Sequence, residues 1–324
     1  MPCSWRNISE HEAALWRACP LLIDGATAVA RPQTNRFRCD LNGTSANALR
    51  RWACADAGDS LHVPKALNSG EHRFFFIGDS MAEQAAKALA CKLWRASLDV
   101  DVRQARLAGQ RDKLLRQLRE LDRVRPNPGR GPPWCVSVGK RLQFRICFAS
   151  AWVERGLIDL AARLIDHIHV GRGDVMIVNE NMARGEALAL SSMRKFAAEV
   201  ANVSSPLGIA RAAGLRILWR EKSPQAFSDS PVGAFQHGTY GSPGQHCAVP
   251  RQTGRSAAVD VGFSELEASG VGVVRIWDES VSQADQHLAS RTAYVARKLD
   301  CTHMCEPSGV LEWWADVTLT QAFA

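Results

Sequence analysis

No run of about eighteen apolar residues occurs in the 324-residue chain, so no segment reads as a transmembrane helix. No Cys-x-x-Cys pair is present, which removes the usual signature of zinc ribbons and of thioredoxin-like redox motifs. The opening stretch, MPCSWRNISEHEAALW, has neither the basic start nor the apolar centre of a signal peptide. That leaves a cytosolic protein or a chain whose leader and membrane anchor are absent. There is no internal repeat. The hydrophobic content of 46% is enough for one large domain, with or without a small appendage.

What is present argues against the cytosol. Ten scattered cysteines, an even number, fit a disulfide framework in an oxidising compartment. Three acceptor sequons, at Asn7 (NIS), Asn42 (NGT) and Asn202 (NVS), agree with passage through the secretory pathway. The net charge of +7 is mostly local: from Arg103 to Arg130 there are nine Lys or Arg against three acids. Leu107, Leu114, Leu115, Leu118 and Leu121 recur there at helical spacing, which predicts a basic amphipathic helix ending before PNPGRGPP. Such a face is either solvated or attractive to an acidic polymer. Nucleic acid is not the expected partner, because the segment has no aromatics on which bases stack.

Residues 1–68 are rich in cysteine, arginine and turn-formers and read as a cysteine-rich N-terminal lobe with little strand periodicity. Across 69–324, apolar runs alternate with helical patterns. HRFFFIGDS, LQFRICFASAWVE, DVMIVNEN, LRILWRE and GVGVVRIWDES read as strands. MAEQAAKALACKLW, ERGLIDLAARLIDHI, GEALALSSMRKFAAEVANV and SQADQHLASRTAYVARKL read as helices. That alternation predicts a mostly parallel sheet covered on both faces. The stretch EKSPQAFSDSPVGAFQHGTYGSPGQHC is too rich in Gly, Pro and Ser for a regular element and reads as a long surface loop.

Gly-Asp-Ser, a setting many acyl-handling enzymes use for a serine nucleophile, occurs twice, ending at Ser60 and Ser80. Ligands of open α/β sheets bind beyond the carboxyl ends of strands. Ser80 fits that frame, because four apolar residues from Phe74 to Ile77 lead into Gly78-Asp79-Ser80 and a helix follows. Ser60 does not: its approach is polar, and LHVPKAL after it carries a proline where a helix should run. Ser80 is therefore either a nucleophile or the N-cap of its helix. Among nine histidines, His303 alone has a dense acid–base context, DCTHMCEPSGVLEWW, with Asp300 three residues before it. A metal site using Cys301, His303 and Cys305 lacks a fourth ligand, and disulfides explain the flanking cysteines better. Asn179, at a strand's carboxyl end, is a candidate oxyanion-hole donor or a structural turn residue.

These residues resemble a family. FFFIGDSM is similar to the Gly-Asp-Ser block of the plant trichome birefringence-like proteins, polysaccharide O-acetyltransferases of the PC-esterase group related to the SGNH hydrolases. DCTHMCEPSGVLEWW resembles their C-terminal block, CDLNG with RRWAC their cysteine-rich segment, and LWREKSPQAF with GSPGQHC their Arg-x-x-Ser-Pro-x-x-Phe block. The four blocks stand in the family's order between about Cys19 and Trp314. Two departures stand out: MAEQ replaces the family's Arg-Asn after the serine, and VNENMARG keeps Asn179 but loses a His and two Trp. Trp313 and Trp314 are the candidates to supply the missing aromatic platform, or core residues instead.

The resemblance implies a three-layer α/β/α sandwich of SGNH-hydrolase-like type. It implies Ser80 as nucleophile, His303 as general base and Asp300 as the residue that orients it. The implied activity is O-acetyl transfer to a polysaccharide or oligosaccharide acceptor in the Golgi lumen, from acetyl-CoA or another acetylated donor. No metal or other cofactor is implied. The alternatives are a carbohydrate acetyl esterase with the same triad and a non-catalytic polysaccharide-binding protein.

Overall fold

The structure, a computed structural model, describes residues 3–7, 19, 50–54, 71–96, 133–138, 143–151, 154–179, 186–228, 230–231, 247–287, 301–304 and 308–324. Two short strands, β1 (Cys3–Asn7) and β2 (Arg50–Cys54), pair antiparallel with Cys3 opposite Cys54. The N-terminal segment thus contains strand structure that its irregular composition did not announce. The predicted basic helix that ends before PNPGRGPP, Ser60 and Asp300 lie outside the described residues.

The rest is built on a six-stranded sheet. Its strands are β3 (Glu71–Gly78), β4 (Trp134–Val138), β5 (Gln143–Ser150), β6 (Val175–Asn179), β7 (Arg216–Arg220) and β8 (Gly272–Val274). Their order is β4-β5-β3-β6-β7-β8, parallel throughout except that the edge strand β4 runs antiparallel to β5. The central strand β3 is apolar on both faces because the sheet is covered on both. Phe74 and Phe76 point into one core, Phe75 and Ile77 into the other. Each of these three phenylalanines is at most 1% exposed, and burying such a ring contributes roughly 2–3 kcal/mol.

Helices α1 (Ser80–Ala96) and α7 (Gly309–Phe323) cover the Phe74/Phe76 face. The opposite face carries α2 (Glu154–Ile168), α3 (Glu186–Ala201), α4 (Pro206–Ala212) and α5 (Ala257–Ala268). A single-turn helix, α6 (Trp277–Ser280), follows β8. The protein is thus a mixed α/β fold with a helical layer on each side of the sheet. Helix α1 forms readily because SMAEQAAKALACKLWRA is rich in Ala, adds the helix formers Leu, Lys, Glu and Gln, and has no β-branched residue. Its alanines allow close approach to the sheet, and Arg95–Glu312 and Lys92–Asp316 tie it to α7.

Three disulfides join described cysteines: Cys19–Cys91, Cys135–Cys147 and Cys247–Cys301. The first fastens the N-terminal segment to α1. The second bridges the antiparallel β4–β5 pair at directly opposed residues. Among the described helices none is long and apolar enough to cross a membrane. Asn202 of the third sequon is exposed, its Oδ1 accepting the Ser204 N–H at 3.0 Å.

Two expectations need correction. The sequence predicts a helix over 282–299, but the described part of that segment holds only the 3₁₀ turn Ala284–Gln286 before an extended His287. The long loop after β7 does not begin on the surface. Ser223, Gln225, Ala226 and Phe227 are buried, because this stretch packs beneath the turn that carries His303.

Candidate active site

From β3 the chain moves through α1 to β4 and β5 on one side, then crosses to β6, β7 and β8 on the other. The carboxyl end of β3 is therefore the switch point of the sheet, where open α/β folds leave a crevice for ligands. Gly78, Asp79 and Ser80 occupy that end. Gly78 is required by space: a Cβ there would lie 2.9 Å from both the Ala82 Cβ and the Asn179 carbonyl oxygen. Only a glycine lets β3, β6 and α1 converge this closely.

Asp79 caps α1. Its Oδ1 accepts the Met81 N–H at 2.9 Å, and its carbonyl accepts the Glu83 N–H at 3.1 Å. Ser80 is thus the first helical residue, and its hydroxyl is not the cap. It lies instead 2.7 Å from His303 Nε2. With the ring proton on Nδ1, Nε2 accepts the Ser80 O–H, the arrangement in which an imidazole acts as general base toward a hydroxyl.

His303 sits on a short turn, residues 301–304, held from several sides. Cys301 is disulfide-bonded to Cys247, and its carbonyl accepts the Ala226 N–H at 2.9 Å. Thr302 Oγ1 accepts from Gln225 Nε2 at 2.8 Å. Met304 pairs with His287 in an antiparallel bridge. Gln84 completes the attachment from α1. Its Nε2 donates to the Met304 carbonyl at 2.7 Å and its Oε1 accepts the Met304 N–H at 3.1 Å. Gln84 is one helical turn beyond Ser80, so a single helix face carries both the serine and the clamp on the histidine turn.

Asn179, the last residue of β6, is almost wholly buried. Its Nδ2 donates to Asp79 Oδ1 at 3.0 Å, and its Oδ1 accepts from Arg220 Nη1 at 2.8 Å. It belongs to the site as a strand residue, not a turn residue. Arg220, at the end of β7, is fully buried, with its guanidinium 4.2 Å above the Trp314 ring. Burial pushes its pKa down to about 10, against the pull of Asp79 and Glu221. The drop disfavours the charged form, yet the group remains a cation at neutral pH. Glu221 beside it accepts the N–H groups of Ile276 and Trp277 at 2.7 and 2.8 Å and pairs with Arg255. Burial raises the pKa of that carboxyl.

Trp314 is fully buried, its indole N–H donating to Ser280 Oγ at 2.9 Å, and Trp313 is 7% exposed. Both are core residues, so neither offers an open sugar platform. Cys301 is disulfide-bonded and so is not a thiolate ligand, which removes the metal alternative built on it. Among the described residues no cluster of His, Cys, Asp or Glu is arranged to hold a metal ion. The structure thus brings together Ser80, His303 and Asn179. Sequence reasoning missed Gln84, and it gave no role to Arg220, the arginine of the Arg-x-x-Ser-Pro-x-x-Phe block. Each left a faint signal: a glutamine among buried alanines four residues after the serine, and an arginine closing a buried strand.

The chain matches no family model, and no curated protein matches it significantly.

Proposed function

We propose that this protein is a serine-dependent O-acyltransferase that moves an acetyl group through a Ser80 acyl-enzyme to hydroxyls of a cell-wall-type polysaccharide. The observation that carries this reading is the 2.7 Å contact between Ser80 Oγ and His303 Nε2 at the switch point of a parallel sheet. The helix-flanked sheet and the resemblance to trichome birefringence-like proteins favour an SGNH-like α/β/α scaffold.

In the first half-reaction His303 Nε2 takes the Ser80 proton as Oγ attacks the donor's acetyl carbonyl carbon. The bond to the leaving group breaks, and His303 returns the proton to that group. In the second half, a sugar hydroxyl gives its proton to His303 and attacks the Ser80 ester, and Ser80 regains its proton as the ester breaks. Asp300 is the proposed orienting partner of His303. Asn179 Nδ2, together with backbone N–H groups at the start of α1, is the proposed oxyanion support. The donor is acetyl-CoA or another acetylated metabolite. The disulfides and the exposed sequon at Asn202 support an oxidising, secretory compartment such as the Golgi lumen.

One observation favours a second reading, a carbohydrate acetyl esterase. Trp313 and Trp314 are buried, so neither supplies the aromatic pair that the resemblance would use to hold a sugar. A purely binding role has less support, because a vestigial serine has no reason to keep a histidine at hydrogen-bond distance. The test measures acetyl release from an activated acetyl ester, with and without a panel of wall oligosaccharides. A transferase releases acetyl slowly in buffer, faster with a matching acceptor, and the acceptor gains acetyl mass. Fast release in buffer with no acetylated sugar supports the esterase. Equal release by S80A overturns both.

A further inference from the structure

The proposed acyl-transfer chemistry does not use Arg220. This cation is fully buried, and among the described residues its Nε and Nη2 have no hydrogen-bond partner. A guanidinium kept for stability would be expected to have its donors satisfied. Its directed bond to a described residue runs from Nη1 to Asn179 Oδ1 at 2.8 Å.

That bond continues toward the serine. Arg220 and Asn179 are register partners at the ends of β7 and β6. Asn179 Nδ2 reaches Asp79 Oδ1 at 3.0 Å, and the same Oδ1 accepts the Met81 N–H at 2.9 Å. The path therefore crosses three adjacent strand ends, β7, β6 and β3, and stops at the first turn of α1. The two ends of an Asn amide have nearly the same shape, and only their partners distinguish them. Arginine has only donors and so must face the oxygen, while an ionised carboxylate has only acceptors and so must face the nitrogen. Because the amide is planar, fixing those two bonds also fixes the direction of the second Nδ2 hydrogen. Hydrogen bonds in series polarise one another, so a cation on Oδ1 makes the amide N–H groups stronger donors.

We propose that Arg220 is a positioning residue for acyl transfer: through Asn179 it locks and polarises the amide that faces the Gly78–Ser80 turn. It does not touch substrate. The inference rests on the acyl-transfer reading and deepens it, assigning the oxyanion support its own anchor.

The test compares wild type with R220M, R220K, N179A and the double variant R220M/N179A. Removing an oxyanion donor slows turnover by about 10²–10³-fold, and a residue acting through that donor should cost somewhat less. For R220M we expect kcat to fall about 10–100-fold, with KM within about twofold and the acidic limb of the pH–rate profile unmoved. R220K, which can still donate to Oδ1, should recover part of the loss. The double variant should be no slower than N179A alone, because both changes break one path. Multiplying losses in the double variant, or kcat within about twofold of wild type in R220M while S80A is inactive, would overturn the proposal. A second readout does not depend on turnover: hydrogen exchange of the Asn179 side-chain amide. It should be slow in wild type and accelerated in R220M. Unchanged exchange in R220M overturns the positioning claim even if no Ser80-dependent activity is found, whereas loss of activity alone bears on the acyl-transfer reading.

Discussion

Replacing Gln84 with methionine removes an amide of nearly the same length and volume and leaves an apolar chain in its place. The Met304 N–H and C=O each lose the partner that Gln84 provides. Gln84 has no exposed surface and Met304 has none, so water is poorly placed to take over either bond. A buried backbone group left unsatisfied costs about 1–3 kcal/mol, so the pair predicts a loss of roughly 2–6 kcal/mol. The same change loosens the turn that carries His303. That turn keeps its attachments through Cys301 and Thr302, so the histidine should drift rather than leave. A misplacement on the order of 1 Å costs up to about 10²-fold in rate, and about 10-fold is expected here. Urea unfolding gives the stability, and the rate of labelling by a serine-directed phosphonate reports the Ser80–His303 pair. Q84E adds a sign test, because an ionised carboxylate accepts from Met304 N but faces the Met304 carbonyl with no donor. Its defect should shrink as pH falls and the carboxyl regains a proton. If Q84M unfolds within about 0.5 kcal/mol of wild type and labels at the wild-type rate, the clamp argument is wrong.

Three further outcomes follow from other parts of the structure. G78A puts a methyl 2.9 Å from the Ala82 Cβ and the Asn179 carbonyl oxygen, so it should destabilise by about 1–3 kcal/mol and slow phosphonate labelling. Wild-type labelling in G78A would show that the turn has room the structure denies. The three disulfides among described cysteines engage six of the ten, which leaves at most 10 − 6 = 4 thiols to titrate in denaturant without reductant. More than four free thiols would contradict these three disulfides, and eight or more would contradict the oxidised framework as a whole. Arg220 has a folded-state pKa lowered to about 10, below its value in the unfolded chain, so above about pH 10 the unfolded state holds the extra proton. The stability of wild type relative to R220M should be flat near neutral pH and should rise as pH climbs through about 10. A difference that falls over that range would refute the burial argument.

The β3–α1 frame was legible because two independent signals coincide there. A four-residue apolar run marks a strand buried on both faces, and a helix-forming segment free of β-branching follows a glycine. Helix α7 was not legible as a helix. It is buried on most sides, Val310, Leu311, Trp313, Trp314 and Ala315 among others, so GVLEWWADVTLTQAF lacks the one-sided apolar stripe that marks a surface helix. Strand β4 escaped notice because its five residues, WCVSV, form a half-buried edge strand without a clean alternation. The serine and the histidine were individually legible from local context, but their meeting across 223 residues is a product of the fold. Gln84 and Arg220 are the harder case. Each acts on a residue far along the chain, 220 and 41 positions away, so nothing in its own neighbourhood states its task. The stretch after β7 misled because Ser, Pro and Gly composition reports loop conformation and not depth. Gln225 and Ala226 are irregular in backbone yet buried against the histidine turn.

The central claim is that Ser80 accepts an acyl group with His303 as its base. Peptide mass mapping after a brief incubation with an activated acetyl ester, quenched in acid, tests it most directly. The account predicts one acetyl group on the peptide containing Ser80, absent in S80A and strongly reduced in H303A, and discharged when a matching oligosaccharide is added before the quench. An acetyl group that persists in S80A, or one that maps to Ser60 instead, would contradict it.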